Sequence, residues 1–405
     1  MTAIHETDTA RNAEFADLVA LVRSQHARKL DLVAPASTLR SQGGLLRIKG
    51  SDAQLDEDGV TPVDGLYRPT RVFDEGIADK LGIPLGYLRR LRTERPDLYD
   101  ANVNGWLHGR SRHVAPRYEG GPGSTQISPG GTEVIYPADE RSFMVRCFTG
   151  AAGEGVARAL LSNGYGIMDN LDALTAMLDG VKQAGAEIEL GRCDLTERRM
   201  YVQVKSPAVS ALAPALLKGY RSPFTGDSGD ENPTVFAGFV LENSEVGNGA
   251  WSIKPQVIIQ VCSNGMTITK DALRAVHVGS RLEDGLIRWT ADTARKNVEL
   301  VTAKTRDAVA TFLDVDYLSA TIAALEEKAG APVAKPAEQI KTVVKKLGFA
   351  ESHIDGILDH FIRGGQVTAG GVAQAFTSYS QTLDDADTAH ELNSQAVRAM
   401  ELVAA

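Results

Sequence analysis

Cysteine is scarce in this 405-residue chain: Cys147, Cys193 and Cys262 are the only three, odd in number and far apart. That spacing excludes a disulfide framework and a cysteine-based zinc site, and it fits free thiols in a reducing compartment. Cys147 and Cys262 sit in apolar, strand-like runs and Cys193 among polar neighbours; each reads as a small hydrophobe. Long apolar runs are missing too. Nowhere do about 18 apolar residues follow one another, so no helix is expected to span a membrane. The stretch Met1 to Arg11 is polar and mixed in charge, without the apolar segment of a secretory signal, and a cytoplasmic protein is expected. Motifs of chemistry are absent as well. There is no P-loop, nucleophile elbow, zinc finger or metalloprotease spacing, and the glycines of Gly150 to Gly155 miss the dinucleotide fingerprint. No catalytic residue, metal or cofactor is therefore nominated.

What is present is enough apolar sequence for a core. Hydrophobic residues make up 43% and charged residues 23%, an ordinary globular balance, and the length calls for two or three structural units. The net charge of −9 is not that of a dedicated duplex-DNA binder, but the charge is unevenly spread. Residues 254–313 hold 9 cations against 6 anions and residues 186–225 hold 6 against 4, whereas residues 314–405 hold 7 against 13. The acidic end reads as solubility charge or as a partner surface.

Periodicity sketches the order of elements. Phe15, Leu18, Val19 and Val22 mark a helix over 12–30, and Leu45 to Ile48 a short strand. Residues 72–92 read as two helices broken at Leu81-Gly-Ile-Pro84, a spacing shared by helix-turn-helix motifs and by plain helical hairpins; Arg89, Arg90 and Arg92 would stand on the second helix. Phe143 to Phe148 looks like a strand, and Gly155 to Leu161 resumes helical character. Leu171 to Ala184 forms a helix with Asp169 or Asn170 as its cap. Strands follow at Glu187–Leu190, Arg199–Lys205, Thr234–Glu242, Ser252–Cys262 and Met266–Thr269. Beyond Trp289 the chain turns helical, first along Val298, Val301, Ala308 and Phe312, then over Ile340–Leu347, His353–Ile362 and Thr368–Thr377. The expected fold is α+β, a central, largely antiparallel sheet with packed helices. Its expected parts are a mostly helical unit (1–115), a Gly/Pro/Ser-rich linker (116–132), a β-rich domain closing on a long helix (133–329), and an acidic helical unit (330–405) entered through Gly330 to Pro336.

Within that frame one strand carries the clearest binding chemistry. Alternation puts Met200, Val202 and Val204 on one face and Arg199, Tyr201, Gln203 and Lys205 on the other. Cations, an aromatic ring and an amide in one row suit single-stranded nucleic acid, and they equally suit a solvated sheet face. Lys254 belongs to the same basic region. Lys270, Arg274, His277 and Arg281 recur at helical spacing and would form a basic stripe for phosphates or a solvated face. The loop 242–249, with Glu242, Asn243, Glu245 and Gly247, is longer than a tight hairpin needs; its glutamates, three apart, are a candidate acid–base or metal pair without a histidine beside them. Ser263-Asn264-Gly265 reads as a turn. His353, Asp355, Asp359 and His360 read as the polar side of an amphipathic helix whose buried side is Ile354, Ile357, Leu358, Phe361 and Ile362.

Several of these stretches resemble the phage/plasmid-like proteins that carry domain of unknown function 932. They are Leu81-Gly-Ile-Pro84 with Tyr87-Leu-Arg-Arg-Leu91, Asn102-Val-Asn-Gly-Trp106, Ala159-Leu-Leu-Ser-Asn-Gly-Tyr165, Asp169-Asn170, Asn243-Ser-Glu-Val-Gly247, Val261-Cys-Ser-Asn-Gly-Met266 and Gly370 to Thr377. The resemblance implies a mobile-element setting and supplies no activity or catalytic residues. With the basic strand it leads to the expectation of a DNA-metabolism protein that binds or anneals single-stranded DNA without covalent chemistry, with further copies of itself as partners and no membrane. An enzyme acting at the 242–249 loop and an interaction protein working through its acidic tail remain the alternatives.

Overall fold

The computed structural model describes residues 9–56, 59–114, 132–150, 154–262, 265–275 and 291–405, and all that follows concerns these. The chain begins with β1 (Ala10–Ala13), α1 (Phe15–Ala27), β2 (Lys29–Pro35), β3 (Leu39–Gln42), β4 (Leu45–Ile48), β5 (Gln54–Asp56), β6 (Gly59–Thr61) and β7 (Gly65–Pro69). Three helices follow, α2 (Arg71–Leu81), α3 (Leu85–Glu94) and α4 (Pro96–Leu107), then β8 (Arg110–Val114), β9 (Thr132–Tyr136), β10 (Ser142–Phe148) and β11 (Glu154–Ser162). After α5 (Asn170–Ala184) come β12 (Glu189–Leu195), β13 (Met200–Leu212), β14 (Thr234–Asn243), β15 (Trp251–Ile259), β16 (Gly265–Thr267) and β17 (Leu273–Ala275). The end is helical: α6 (Ala291–Phe312), α7 (Val315–Ala329), α8 (Pro336–Lys346), α9 (Ile354–Gly364), α10 (Ala369–Ser380) and α11 (Ala386–Ala404). The fold is α+β. No single described helix is long and apolar enough to cross a membrane.

Two compact units share these elements. The first holds the described residues of Ser24–Gly166; the second holds those of Asp8–Arg23, Ile167–Val278 and Trp289–Ala405. This division differs from the boundaries expected at 116–132 and 330. Residues 116–131 lie outside the described residues, and the strands that follow them pair backwards: β10 with β2, and β11 with β7. At the other place Val333 is buried and its N–H donates to the Val367 carbonyl (3.3 Å), so 330–336 is packed chain inside the second unit.

In the first unit six strands run in the order β2-β10-β11-β7-β4-β3. Phe73, Ile77, Leu88, Tyr99 and Val103 of α2 to α4 share a core with Leu39, Ile48, Val145 and Leu160 of the sheet. Gly82 at φ 65° ends α2 in the left-handed region, which is why Leu-Gly-Ile-Pro breaks the helices there. The helical reading of Gly155 to Leu161 is corrected. That run is β11, antiparallel to β10, parallel to β7, and buried at Gly155 to Leu160. A strand covered on both faces reads as continuous apolar sequence, and here alanine, leucine and arginine gave it a helical composition.

The second unit is built on seven described strands, all antiparallel, ordered β1-β12-β13-β14-β15-β16 with β17 also beside β15. Met200, Val202, Val204, Leu241 and Ile253 turn one face toward Leu18 and Val22 of α1, Leu174 and Met177 of α5, and Val309 of α6. A second core joins Val235, Val257, Ile259 and Met266 of the sheet to Ile322, Ile340, Phe361, Phe376, Leu392 and Met400 of the closing helices. Ile362, expected on the buried side of α9, is 67% exposed because the buried face runs through Ile357, His360, Phe361 and Gly364 and Ile362 lies off it.

A polar cleft between the sheet and the last helix

Alternation puts the other face of this sheet to different use. Asp194, Tyr201, Glu242 and Ser252 stand directly opposite one another across β12, β13, β14 and β15, and Gln203, Val240 and Lys254 form the next row. Against these rows lies α11, which presents Asp387, His390, Glu391 and Ser394 at one-turn spacing while Ala389, Leu392, Ala396 and Ala399 are buried. The imidazole of His390 stacks on the Tyr201 ring with centroids 3.8 Å apart and planes 7° from parallel. His390 Nε2 lies 2.8 Å from Asp194 Oδ2, which also accepts from Arg11 (2.8 Å), and Asp194 Oδ1 accepts the Asn12 N–H (2.7 Å). Burial alone would raise the Asp194 pKa. The hydrogen bond and charge of His390, then Asn12 and Arg11, outweigh that and hold it at about 2.

Asp387 is the opposite case. The hydroxyls of Tyr201 (3.0 Å) and Thr196 (3.1 Å) donate to its Oδ1, yet burial dominates and its pKa is raised. Beside it opens a cleft of about 340 Å³, lined by Arg199, Tyr201, Glu242, Ser252 and Lys254 from the sheet side and His390, Glu391, Ser394 and Gln395 from α11. Arg199 Nη1 reaches Glu242 Oε1 at 3.3 Å, and Lys254 Nζ bonds the other oxygen, Oε2. Arg199 Nε donates to the Asn248 carbonyl (2.6 Å). Two cations thus share one carboxylate on the cleft floor.

Four of the residues picked from sequence, Arg199, Tyr201, Glu242 and Lys254, therefore meet in one place. Tyr201 is only 2% exposed and already stacked, so it offers no free ring to a base. Gln203 is half-buried outside the cleft lining, bonded to Gln256 Oε1 (3.1 Å). Lys205 pairs with Glu189 (2.6 Å) and stands over the Phe236 ring (4.9 Å). Arg89 and Arg90 belong to the first unit and hold Glu75 (2.8 Å) and Glu94 (2.9 Å). The basic helix expected through Lys270 and Arg274 is corrected: Thr269–Asp271 is a short 3-10 turn and Arg274 sits in β17 opposite Ser252, strand pairing having overridden the helical spacing. The side chains of Lys270 and Arg274, and all of His277, Arg281 and Ser263-Asn264, lie outside the described residues.

The 242–249 loop divides its two glutamates. Glu242 faces the cleft, while Glu245 Oε1 accepts the Asn170 N–H (2.6 Å) and caps α5, a task the Asp169 side chain does not perform. Asn243 Nδ2 donates to the Met168 carbonyl (3.1 Å) and Asn170 Oδ1 (2.8 Å), and Gly247 turns the chain at φ 84°. The loop is thus the socket of a helix start. On α9, His360 is buried and shares a hydrogen bond with Ser378 Oγ (3.0 Å), while His353 meets the Tyr379 hydroxyl (3.2 Å).

Sequence reasoning missed α11, and with it Asp387 and His390, and it did not single out Asp194. The signal was present in Ala386, Ala389, Leu392, Ala396 and Ala399, a helical stripe of small residues too weakly apolar to stand out. Comparison with family models, curated proteins and solved structures finds no match.

Proposed function

We propose that the second unit binds a phosphate-bearing ligand of nucleotide size, a nucleotide unit of single-stranded DNA, in the cleft between β13–β15 and α11, without a covalent reaction. One observation carries this: Arg199 and Lys254 converge on the single carboxylate of Glu242 on a partly buried floor, with Glu391 standing across the cleft on α11. An anion there gains more than at an open surface, because partial burial weakens solvent screening. Ser252, Ser394 and Gln395 add hydroxyl and amide groups for the rest of a nucleotide, and about 340 Å³ lies at the small end of ligand pockets. The resemblance to phage/plasmid-like proteins points the same way, and we propose that family and its DNA-metabolism setting for the chain. A strand lying flat on Tyr201 is not what this geometry favours; a nucleotide entering end-on is.

The test is fluorescence anisotropy of a labelled oligothymidylate titrated with the full chain between 50 and 200 mM salt, the range over which phosphate contacts weaken steeply. Micromolar, salt-dependent binding is expected. Lys254→Gln should weaken it about tenfold, the scale of one charge-assisted hydrogen bond. Glu242→Gln should tighten it by releasing both cations. No salt-dependent binding at micromolar protein overturns the proposal.

A further inference from the structure

We infer that the first unit carries a second, separate site, a cleft at the β3 edge of its sheet that holds the backbone phosphates of a nucleic-acid strand. It stands on its own residues, whether or not the cleft beside α11 takes a nucleotide. The β3–β4 hairpin sets Arg40 directly opposite Arg47, and Lys49 follows Arg47 by two residues on the same face. Like charges facing across two strands cost stability, so the pairing is unfavourable until an anion neutralises it. These cations line a cleft of about 650 Å³ together with Thr38, Gln42 and His108.

As a cluster they lack ion pairs, although the chain is net acidic. Arg89, Arg90, Arg92, Arg95, Arg141 and Arg146 of the same unit each hold a carboxylate at 2.7 to 2.9 Å. Among the described residues, Arg40, Arg47 and Lys49 form no ion pair; Arg47 makes one neutral bond, to Gln42 Oε1 (2.8 Å). Two carboxylates stand near, Asp100 in the cleft lining and Asp64, which attracts Lys49 and Arg47 at longer range, and both are hydrogen-bonded to the hairpin and its flank. Asp100 accepts from the Ser41 hydroxyl and the N–H groups of Gly43 and Gly44, and Asp64 from the N–H groups of Gly50 (2.9 Å) and Ser51 (3.0 Å).

The same edge disfavours a protein partner. β3 ends the sheet, yet the Asn104 amide already satisfies both the N–H and the C=O of Ser41 (2.8 Å each). An added strand would have to displace it. What stays open is charge, and repeated phosphates are the ligand that charge fits.

The test uses a fluorescein-labelled abasic deoxyribose-phosphate oligomer, which has phosphates and no bases, titrated with the full chain over a salt series. Wild type should bind it in a salt-dependent way. Combined Arg40→Gln, Arg47→Gln and Lys49→Gln should make the log K against log salt slope shallower by about 2, as for three lost phosphate contacts on a single strand. That variant should melt no lower than wild type, because the substitutions break no ion pair. Unchanged binding by the triple variant, a lowered melting temperature, or displacement of the oligomer by inorganic phosphate at matched ionic strength overturns the inference. The triple variant leaves Arg199 and Lys254 in place, and Lys254→Gln leaves Arg40, Arg47 and Lys49 in place, so failure here is separable from failure of the nucleotide cleft.

Discussion

His390 is held from two sides, by Asp194 at its edge and by the Tyr201 ring at its face, and the two aspartates nearby should answer pH in opposite senses. Asp194 has a folded pKa of about 2 against the ordinary 3.8, so its stabilisation is complete above pH 4 and is lost as pH falls through 2. The shift corresponds to about 2 kcal/mol for this buried carboxylate. Asp194→Asn should therefore destabilise the chain by roughly that amount in urea at pH 7. The gap to wild type should narrow between pH 4 and pH 2; a gap that stays constant there would show that ionisation is not its cause. Asp387 has a raised pKa, so folding favours its protonated form, and that advantage is lost as pH rises through the folded value. Asp387→Asn keeps an oxygen for the Tyr201 and Thr196 hydroxyls and removes the buried charge. It should raise the melting temperature at pH 7, with the gain vanishing once acid protonates the wild-type carboxyl. A lower melting temperature at pH 7 would mean the ionised carboxylate is the better partner.

At the scale of elements, α11 ties the polar cleft to the apolar core: its polar side faces Tyr201 and Asp194, while Leu392 and Met400 join Val257 and Ile259 of the sheet. The acidic tail is consequently part of the second unit. Deleting residues 331–405 removes Ile340, Phe361, Phe376, Leu392 and Met400 from that core, and truncating even one such side chain typically costs 2 to 5 kcal/mol. The shortened chain should lose cooperative melting of the second unit and its near-ultraviolet circular dichroism. Wild-type melting after the deletion would contradict the packing described. Legibility at this scale followed the strength of the periodic signal. The break at Gly82, the helix α5 and the strands β13 to β15 were readable because large apolar residues or a left-handed glycine mark them. β11 and α11 were not, the first because burial on both faces erases the period of two, the second because its stripe is mostly alanine. Convergence of Arg199, Glu242 and Lys254 followed from strand alternation once the register was known; the contribution of His390, 189 residues beyond Tyr201 in the chain, is a long-range fact that no local pattern carries.

For the whole molecule, which strands pair matters more than where the chain looks loose. The Gly/Pro/Ser-rich stretch at 116–132 has the composition of a boundary, yet β10 and β11 after it complete a sheet begun by β2, β4 and β7 before it. Composition records local stiffness and solvation, whereas pairing across more than a hundred residues is set by a core that forms only on folding. Among the described residues, the core of the first unit draws every one of its buried members from residues 30–160. An excised Ser24–Gly166 fragment should then fold by itself, with a single cooperative thermal transition and a mixed helix and strand circular dichroism spectrum. It should also keep the salt-dependent binding of the abasic oligomer, since Arg40, Arg47 and Lys49 travel with it. A fragment that melts without cooperativity would show that the first unit depends on chain outside it. A folded fragment that no longer binds the oligomer would place the phosphate contacts elsewhere.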